Sequence, residues 1–154
     1  MVTVLDRDLR NDISVDIPWW TFLDSGVANV GVVSALQGRE FREGTPEFGE
    51  AFGTLLMHEF VCYRDYVAHE PLAFWRSMSG YEVDFIIGDH SAVEAKAKRN
   101  VSPADLRSLV ALPEEKKFKR YICLRLEPRA RREGNITIIP FLDFLRSLWD
   151  GDFK

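Results

Sequence analysis

The segment Tyr81–Ala97, with the sequence YEVDFIIGDHSAVEAKA, decides the fold of this chain. Two strand-length runs of branched and aromatic residues flank the turn Gly88-Asp89-His90. Such runs around a short, glycine-containing loop predict an antiparallel hairpin. If Asp89 is the centre of the turn, the numbers of two facing residues sum to twice 89, so that Asp84 faces Glu94.

The hairpin also predicts a polar face on the sheet. Glu82 faces Lys96 by the same rule, and residues two apart lie on one face of a strand. The predicted polar face therefore consists of Glu82, Asp84, Glu94 and Lys96. The opposite face takes the apolar residues Val83, Phe85, Val93, Ala95 and Ala97.

Two facing carboxylates need a compensating charge. Their Cβ atoms lie roughly 5 Å apart across a hairpin, and like charges there destabilise the sheet. The repulsion is about 3 kcal/mol at an effective dielectric constant of about 20. A bound Mg²⁺ would remove this repulsion, since the ion takes one or two carboxylates and leaves positions for water and a phosphate. Lys96 could then orient the attacking water or neutralise charge on the phosphate.

A solvated polar face is the competing interpretation of the same residues. In it Glu82 pairs with Lys96, while Asp84 and Glu94 point into water. Exposed charged ladders of this kind are common and only weakly stabilising. From these residues alone the two interpretations are equally open.

Patterns on either side of the hairpin predict the remaining elements. Thr45-Pro46-Glu47 combines an N-cap, a proline at the first helical position and an early acid, which predicts a helix from about 46 to 66. Leu72–Arg76 adds a strand before the hairpin and makes three consecutive antiparallel strands. The predictions beyond it are a second helix starting at Ser102–Asp105, strands at Arg120–Leu126 and Ile136–Ile139, and a short C-terminal helix at Phe141–Trp149.

Length and composition predict one α/β domain spanning residues 1–154. Hydrophobic residues make up 46% and charged residues 29% of the chain, enough for a packed core without metals or disulfides. Cys62 and Cys123 lie in apolar stretches and are expected to be buried, reduced thiols. No apolar run is long enough for a signal peptide or a membrane span, so we expect a cytoplasmic protein without membrane contact. Residues 1–44 are expected to form an N-terminal extension of short strands, among them Ile13–Ile17.

Charged and aromatic groups indicate candidate partners. The net charge of −4 argues against the overall basicity of a DNA coat but leaves local basic groups. These groups lie at 96–99, 116–120 and 129–132, and the last two are expected to flank the same end of the sheet. DNA is therefore a candidate partner. Trp19-Trp20 is a candidate apolar surface for a homodimer, and His90 is either a phosphate contact or an ordinary turn residue.

Six separated motifs occur along the chain: FLDSGV at 22–27, GTPEFG at 44–49, FWRS at 74–77, GYEVDF at 80–85, EAKA at 94–97 and LWDG at 148–151. In this order they resemble the C-terminal nuclease-like domain of a family of prokaryotic AAA-type ATPases. Nine residues separate Asp84 from Glu94, and one residue separates Glu94 from Lys96. This spacing also resembles the motif of the PD-(D/E)XK phosphodiesterase superfamily. The resemblance covers residues 22–151 of the chain.

The resemblance implies both a fold and a site. The implied fold is a restriction-endonuclease-like core of helix, three antiparallel strands, helix and strand. Asp84 and Glu94 would hold Mg²⁺ or Mn²⁺ together with the carbonyl of Ala95. Lys96 would be the catalytic cation, and the three side chains would act together on DNA.

The chain departs from the family at two positions. GTPEFG at 44–49 has the glycine spacing of a P-loop, but Glu50-Ala51 follows where Lys and Ser/Thr are required, so no nucleoside triphosphate is expected to bind. The family's first helix carries a glutamate where this chain has Gly53. Glu50 lies three residues earlier on nearly the same helix face and could replace that glutamate as a metal ligand.

Two functional hypotheses follow from these residues. The first is a Mg-dependent, nuclease-like phosphodiesterase that acts on DNA. The second is a catalytically inactive, stand-alone module, derived from an ATPase C-terminal domain, that binds nucleic acid or a protein. Gly53 favours the second hypothesis, whereas metal binding near Asp84 and Glu94 is required only by the first.

Overall fold

The computed structural model describes residues 42–115 and 117–151, without the side chains of residues 114 and 115. The predicted N-terminal extension, including Ile13–Ile17 and Trp19-Trp20, lies outside these residues. The described elements are, in chain order, α1 (Pro46–Tyr63), a π-helical turn (Arg64–Ala68), β1 (Leu72–Arg76), β2 (Glu82–Ile87), β3 (Ser91–Ala95), a 3-10 turn (Pro103–Leu106), α2 (Arg107–Glu115), β4 (Arg120–Arg125), β5 (Arg131–Glu133), β6 (Ile136–Pro140) and α3 (Phe141–Asp150).

Helix α1 begins where the sequence predicts. The Thr45 hydroxyl accepts a hydrogen bond from the Phe48 N–H at 3.3 Å and so satisfies one of the unpaired donors of the first turn. Its end differs from the prediction, because α-helical hydrogen bonding stops at Tyr63 and a π-helical turn follows. That turn ends at His69, which adopts the left-handed conformation with φ 56°.

The six described strands form one sheet in the order β1-β2-β3-β4-β6-β5. Strands β1, β2 and β3 are antiparallel, as predicted, whereas β3, β4 and β6 run parallel to one another. The short edge strand β5 was not predicted, because Arg131–Glu133 is wholly charged and pairs only with β6. Since β3 and β4 are parallel, the segments that follow them emerge at the same end of the sheet.

The hairpin register confirms the prediction that Asp89 is its centre. The facing pairs are Phe85–Val93, Ile86–Ala92 and Ile87–Ser91, each of which sums to twice 89.

A β-bulge alters the predicted faces of β2. Ala73 pairs with Ile86 and Trp75 with Val83, so two residues of β2 lie opposite one residue of β1. The extra residue changes the alternation of side chains. Val83 therefore packs with Trp75 while Phe85 packs on the other side of the sheet, and the prediction that Val83 and Phe85 share a face is wrong.

Two apolar clusters cover the two faces of the sheet. Side chains from α1 and α3, including Phe60 and Phe144, pack against Ile122 and Leu124. Side chains from α2 pack on the other face, where β4 contributes Tyr121 and Cys123. Each fully buried large apolar side chain stabilises the fold by about 1.5–3 kcal/mol. Within the described residues, no helix combines the length and apolarity that crossing a membrane requires.

Candidate functional site

The candidate site lies where the hairpin between β2 and β3 opens. Beyond the Phe85–Val93 pair, the carboxylate of Asp84 accepts a hydrogen bond from the Ala95 N–H at 2.8 Å. The N–H and C=O of one strand residue point towards the same neighbouring strand. The carbonyl of Ala95 is therefore also directed towards β2, as a third metal ligand would require.

Glu94 is the most constrained acid of the site. It is only 4% exposed, and its Oε1 lies 2.5 Å from Nζ of Lys96. Its Oε2 is buried and has no hydrogen-bond partner in the described structure. A buried polar atom without a partner costs about 1–3 kcal/mol, and more when the group is charged. This oxygen is therefore a buried acceptor to which no described residue donates a hydrogen bond.

Burial and charge shift the pKa values of these groups. Burial and the negative charge of Asp84 together raise the pKa of Glu94 to about 7, against the charge of Lys96 and a backbone hydrogen bond from Asp84. Burial also raises the pKa of Asp84, against the hydrogen bond from Ala95. Burial lowers the pKa of Lys96, but the Glu94 carboxylate outweighs it, so the pKa of Lys96 is raised overall. Two acids that resist ionisation beside one cation form a site that an additional cation would stabilise.

Helix α1 closes this site on one side. Glu50 and Gly53 line a cavity of about 180 Å³ together with Asp84 and Ala95. Glu50 thus shares the cavity with two of the candidate ligands, Asp84 and Ala95, whereas Glu94 does not line it. A Cβ atom added at Gly53 would meet no heavy atom within 4 Å. Among the described residues, no group of three or more His, Cys, Asp or Glu side chains is positioned to hold a metal ion. The donors present near the hairpin opening are two carboxylates and a backbone carbonyl, with Glu50 across the cavity.

Glu82 does not belong to the predicted polar face. Its carboxylate pairs with Arg76 at 3.0 Å, the residue that it faces in β1, and not with Lys96. The β-bulge that follows Val83 separates Glu82 from the alternation of the hairpin. Of the four residues predicted to form the polar face, only Asp84, Glu94 and Lys96 do so. The ion pair between Glu82 and Lys96, which the solvated-face interpretation expected, is wrong.

The structure separates the basic groups. Residues 96–99 follow β3 and Arg129 follows β4, so both lie at the end of the sheet that carries the candidate site. Arg132 belongs to β5, which runs back from that end: it faces Thr137 of β6, and Thr137 faces Ile122 near the start of β4. The described basic residues of 117–120 precede β4 and lie at the opposite end. The prediction that 116–120 and 129–132 flank one end is therefore wrong for Arg129, because the length of β4 separates it from residues 117–120.

Cations at the site end differ in their partners. Nζ of Lys98 lies 2.5 Å from Oδ1 of Asp105, and Nε of Arg99 lies 3.0 Å from Oε2 of Glu43. Arg129, which follows β4, is exposed. Its guanidinium group is accessible to an anionic partner.

Arg125 is a residue of this region that the sequence analysis missed. It is only 1% exposed, donates to the carbonyl of Arg129 and forms an ion pair with Glu127. These contacts hold the loop after β4 beside the candidate site. A charged residue inside the apolar run Tyr121–Leu126 was the available signal, since an arginine is rarely fully buried.

The two cysteines differ in burial. Both are free thiols, but only Cys123 is buried, so the prediction is confirmed there and wrong for the half-buried Cys62. Burial and the facing Glu94 together raise the pKa of Cys123 to about 12. Cys123 is therefore an inert apolar neighbour of the site.

The comparisons with known proteins identify a family for this chain. Neither the search of curated proteins nor the search of solved structures gave a match. A family model described as "Domain of unknown function (DUF4143)" matches residues 48–144. This span contains Asp84, Glu94 and Lys96 and extends from α1 into α3. The chain therefore belongs to the DUF4143 family.

Proposed function

We propose that this chain is a Mg²⁺- or Mn²⁺-dependent phosphodiesterase of the nuclease type that acts on DNA. The observation that carries the proposal is the buried Glu94 carboxylate, which has one oxygen on Lys96 and one without a partner. Burying an acid in this state next to a second acid lowers the stability of the fold, and a bound cation would offset this loss.

The order of elements supports a restriction-endonuclease-like core. Helix α1, the antiparallel strands β1 to β3, helix α2 and the parallel strand β4 follow one another in the order that such a core requires. The resemblance to the nuclease-like domain of AAA-type ATPases points to the same core. We infer a nuclease-like domain.

The residues present fit a divalent metal ion. Asp84 and Glu94 would hold it with the Ala95 carbonyl, and these hard oxygen ligands match the preference of Mg²⁺. When bound, the ion supplies Lewis acidity towards a phosphate and lowers the pKa of a water. Lys96, kept charged by Glu94, neutralises negative charge that develops on the phosphate.

Exposed cations at the same end of the sheet support DNA as the substrate. Arg99 and Arg129 are exposed at the end of the sheet where β3 and β4 end, which also carries the candidate site. Cations placed in this way contact phosphates without regard to base sequence, and the binding weakens steeply with salt. We therefore expect DNA binding that is electrostatic and not specific for sequence.

An inactive binding module is the second candidate function, and Gly53 favours it. The family's helical glutamate is replaced by a residue that costs about 1 kcal/mol relative to alanine in a helix. The space around Gly53 is open, so packing does not require a glycine there. The missing carboxylate therefore fits a site that has lost its activity.

Calorimetric titration with Mn²⁺ tests the metal site. We expect one ion per chain in the wild type and none in Asp84→Ala. Glu82→Gln is the matched control, because it removes a carboxylate of the same strand that pairs with Arg76 instead. The affinity should rise as the pH increases through about 7, because Glu94 must lose its proton to bind the ion. Identical titrations of the wild type and Asp84→Ala would refute the proposed metal site.

Gly53→Glu separates the active protein from the inactive module. If the site has decayed, this variant should bind Mn²⁺ more tightly and cleave a generic DNA substrate faster than the wild type does. If Glu50 has taken over the role, the wild type should already cleave DNA, and Glu50→Ala should abolish that activity. Equal metal binding and equal cleavage in all three proteins would contradict both versions.

A further inference from the structure

A second cavity lies at the end of the sheet opposite the candidate metal site. It is lined by the end of α1, the π-helical turn, the turn between β2 and β3, and the residues that begin β4. Its volume of about 500 Å³ exceeds the 180 Å³ of the cavity beside Asp84. Small-molecule sites usually measure about 300–1,000 Å³. The second cavity therefore has the size of a ligand site.

His90 organises this cavity through both its ring and its backbone. Its Nε2 lies 2.6 Å from Oε2 of Glu70, and its Nδ1 lies 2.6 Å from the hydroxyl of Ser91. Its carbonyl accepts the N–H groups of Lys119 and Arg120, both at 3.0 Å. Ser91 is fully buried, so these side chains do not form a nucleophilic triad. Their contacts instead fix the segment that brings two cations to the cavity.

Gly88 allows this arrangement. It has a φ of +56°, and a Cβ atom at this position would lie 2.6 Å from Oε2 of Glu70, the oxygen that contacts His90. A side chain here would therefore displace the carboxylate. The cavity wall depends on a close approach that glycine permits without steric cost.

The π-helical turn supplies the apolar wall. Val67 and Ala68 line the cavity, and the buried ring of Tyr63 precedes them at the end of α1. Single π-helical turns of this kind occur frequently at functional sites. The wall offers an apolar surface for the uncharged part of a ligand.

Residues that carry hydrogen-bond donors line the same cavity. Lys119 and Arg120 line the cavity, and Tyr63 adds a phenolic O–H. Burial raises the pKa of Tyr63, and so does Glu70 while Arg120 opposes it, so the phenol keeps its proton at neutral pH. The Glu70 carboxylate is occupied by His90. Asp89 provides an acceptor at the rim.

We propose that this cavity binds a small phosphorylated ligand of the size of a nucleoside monophosphate. Lys119 and Arg120 contact the phosphate, for which two adjacent cations are suited. Asp89 accepts a hydrogen bond from a hydroxyl or amine of the ligand, and Val67 and Tyr63 contact its ring. The site is independent of the proposed nuclease function and is unrelated to the P-loop-like segment at 44–49.

Calorimetry with three probes tests this site: adenosine 5′-monophosphate, inorganic phosphate and adenosine. The monophosphate should bind more tightly than either of its parts, because the cavity offers both cations and an apolar wall. Lys119→Gln should weaken its binding by about tenfold, the loss expected for one charge-assisted hydrogen bond. Lys117→Gln is the matched control, because Lys117 is exposed on the same segment and does not line the cavity. It should leave the affinity unchanged.

Further variants make the outcome decisive. Arg120→Gln should weaken binding at least as much as Lys119→Gln, with thermal unfolding measured alongside to exclude a loss of folded protein. Gly88→Ala should weaken binding while Lys119 and Arg120 are intact, because it displaces Glu70. No saturation by the monophosphate at millimolar concentrations would overturn the proposal. Equal affinities of the wild type and Lys119→Gln would overturn it as well.

Discussion

The two ends of the sheet hold their buried polar groups in different ways. At one end Glu94 is buried with an oxygen that has no partner, and the hairpin ladder opens beside it. At the other end both ring nitrogens of His90 are occupied, and a glycine turn makes room for the carboxylate of Glu70. A satisfied network costs little and fixes a shape, whereas an unsatisfied carboxylate is retained against a cost in stability. We therefore propose chemistry at the Glu94 end and ligand binding in a preformed cavity at the His90 end.

Lys96→Ala should produce the largest effect at the Glu94 end. If the chain cleaves DNA with Mg²⁺ or Mn²⁺, the rate should fall by about 100- to 1,000-fold, as it does when a preorganised group that stabilises the transition state is removed. Lys98→Ala is the control, because Lys98 is paired with Asp105. Cleavage assays with purified variants measure both. A rate that survives Lys96→Ala and Asp84→Ala together would place the activity elsewhere.

Glu94→Gln should reveal the stability cost of the buried acid. The folded-state pKa of about 7 lies above the ordinary value of 4.5, so the folded protein holds this proton more tightly than the unfolded chain. The protonated carboxyl therefore stabilises the fold fully below the unfolded-state pKa of 4.5, and this stabilisation is lost as the pH rises through about 7. We expect the wild type to lose on the order of 2 kcal/mol between these values.

Urea unfolding at a series of pH values measures this loss. Glu94→Gln should flatten the dependence, and the exposed Glu82→Gln should retain it. Saturating Mn²⁺ should restore stability at high pH, because the ion replaces the proton. A wild type whose stability is constant between pH values below 4.5 and above 7 would show that Glu94 is not destabilised by burial.

Gly88→Ala tests the His90 end. The substitution combines a positive φ with a contact on Glu70, and the expected loss is about 2 kcal/mol. Gly134→Ala is a matched control, because Gly134 has a similar φ of +59° and no atom within 4 Å of an added Cβ. Its loss should be about 1 kcal/mol. Equal losses in thermal or urea unfolding would mean that the contact between Gly88 and Glu70 contributes nothing.

Asp105→Asn should have the smallest effect, in the 3-10 turn that precedes α2. Burial raises the pKa of Asp105, but hydrogen bonds from Lys98 and Ser102 outweigh it and lower the pKa to about 2. The stability that Asp105 contributes is therefore fully present above its unfolded-state pKa of 3.8, and it is lost as the pH falls through the folded-state pKa of about 2. We expect the variant to lose about 1 kcal/mol at neutral pH, as for other helix caps. Acid unfolding curves should converge for the two proteins near pH 2, and curves that stay apart would contradict this origin.

Local patterns predicted much of the fold. The turn centred on Asp89 predicted the hairpin register, because a short turn determines which residues face each other. Thr45-Pro46-Glu47 and Ser102–Asp105 predicted the helix starts, because caps act within one turn. The bulge in β2 and the strand β5 were missed, since each depends on a neighbouring strand and not on its own residues.

By itself the sequence determined which residues could carry chemistry: Asp84 and Glu94 across a hairpin, with Lys96 two positions on. Only the tertiary structure decided that Glu82 forms an ion pair with Arg76 and that Glu94 is buried with one oxygen lacking a hydrogen-bond partner. It also decided that the basic groups are divided between the two ends of the sheet. It also brought His90, Glu70 and Lys119 to one cavity from distant parts of the chain. The physical reason is that burial and the pairing of distant segments depend on how the strands are arranged, whereas facing positions within a hairpin depend on a few neighbouring residues.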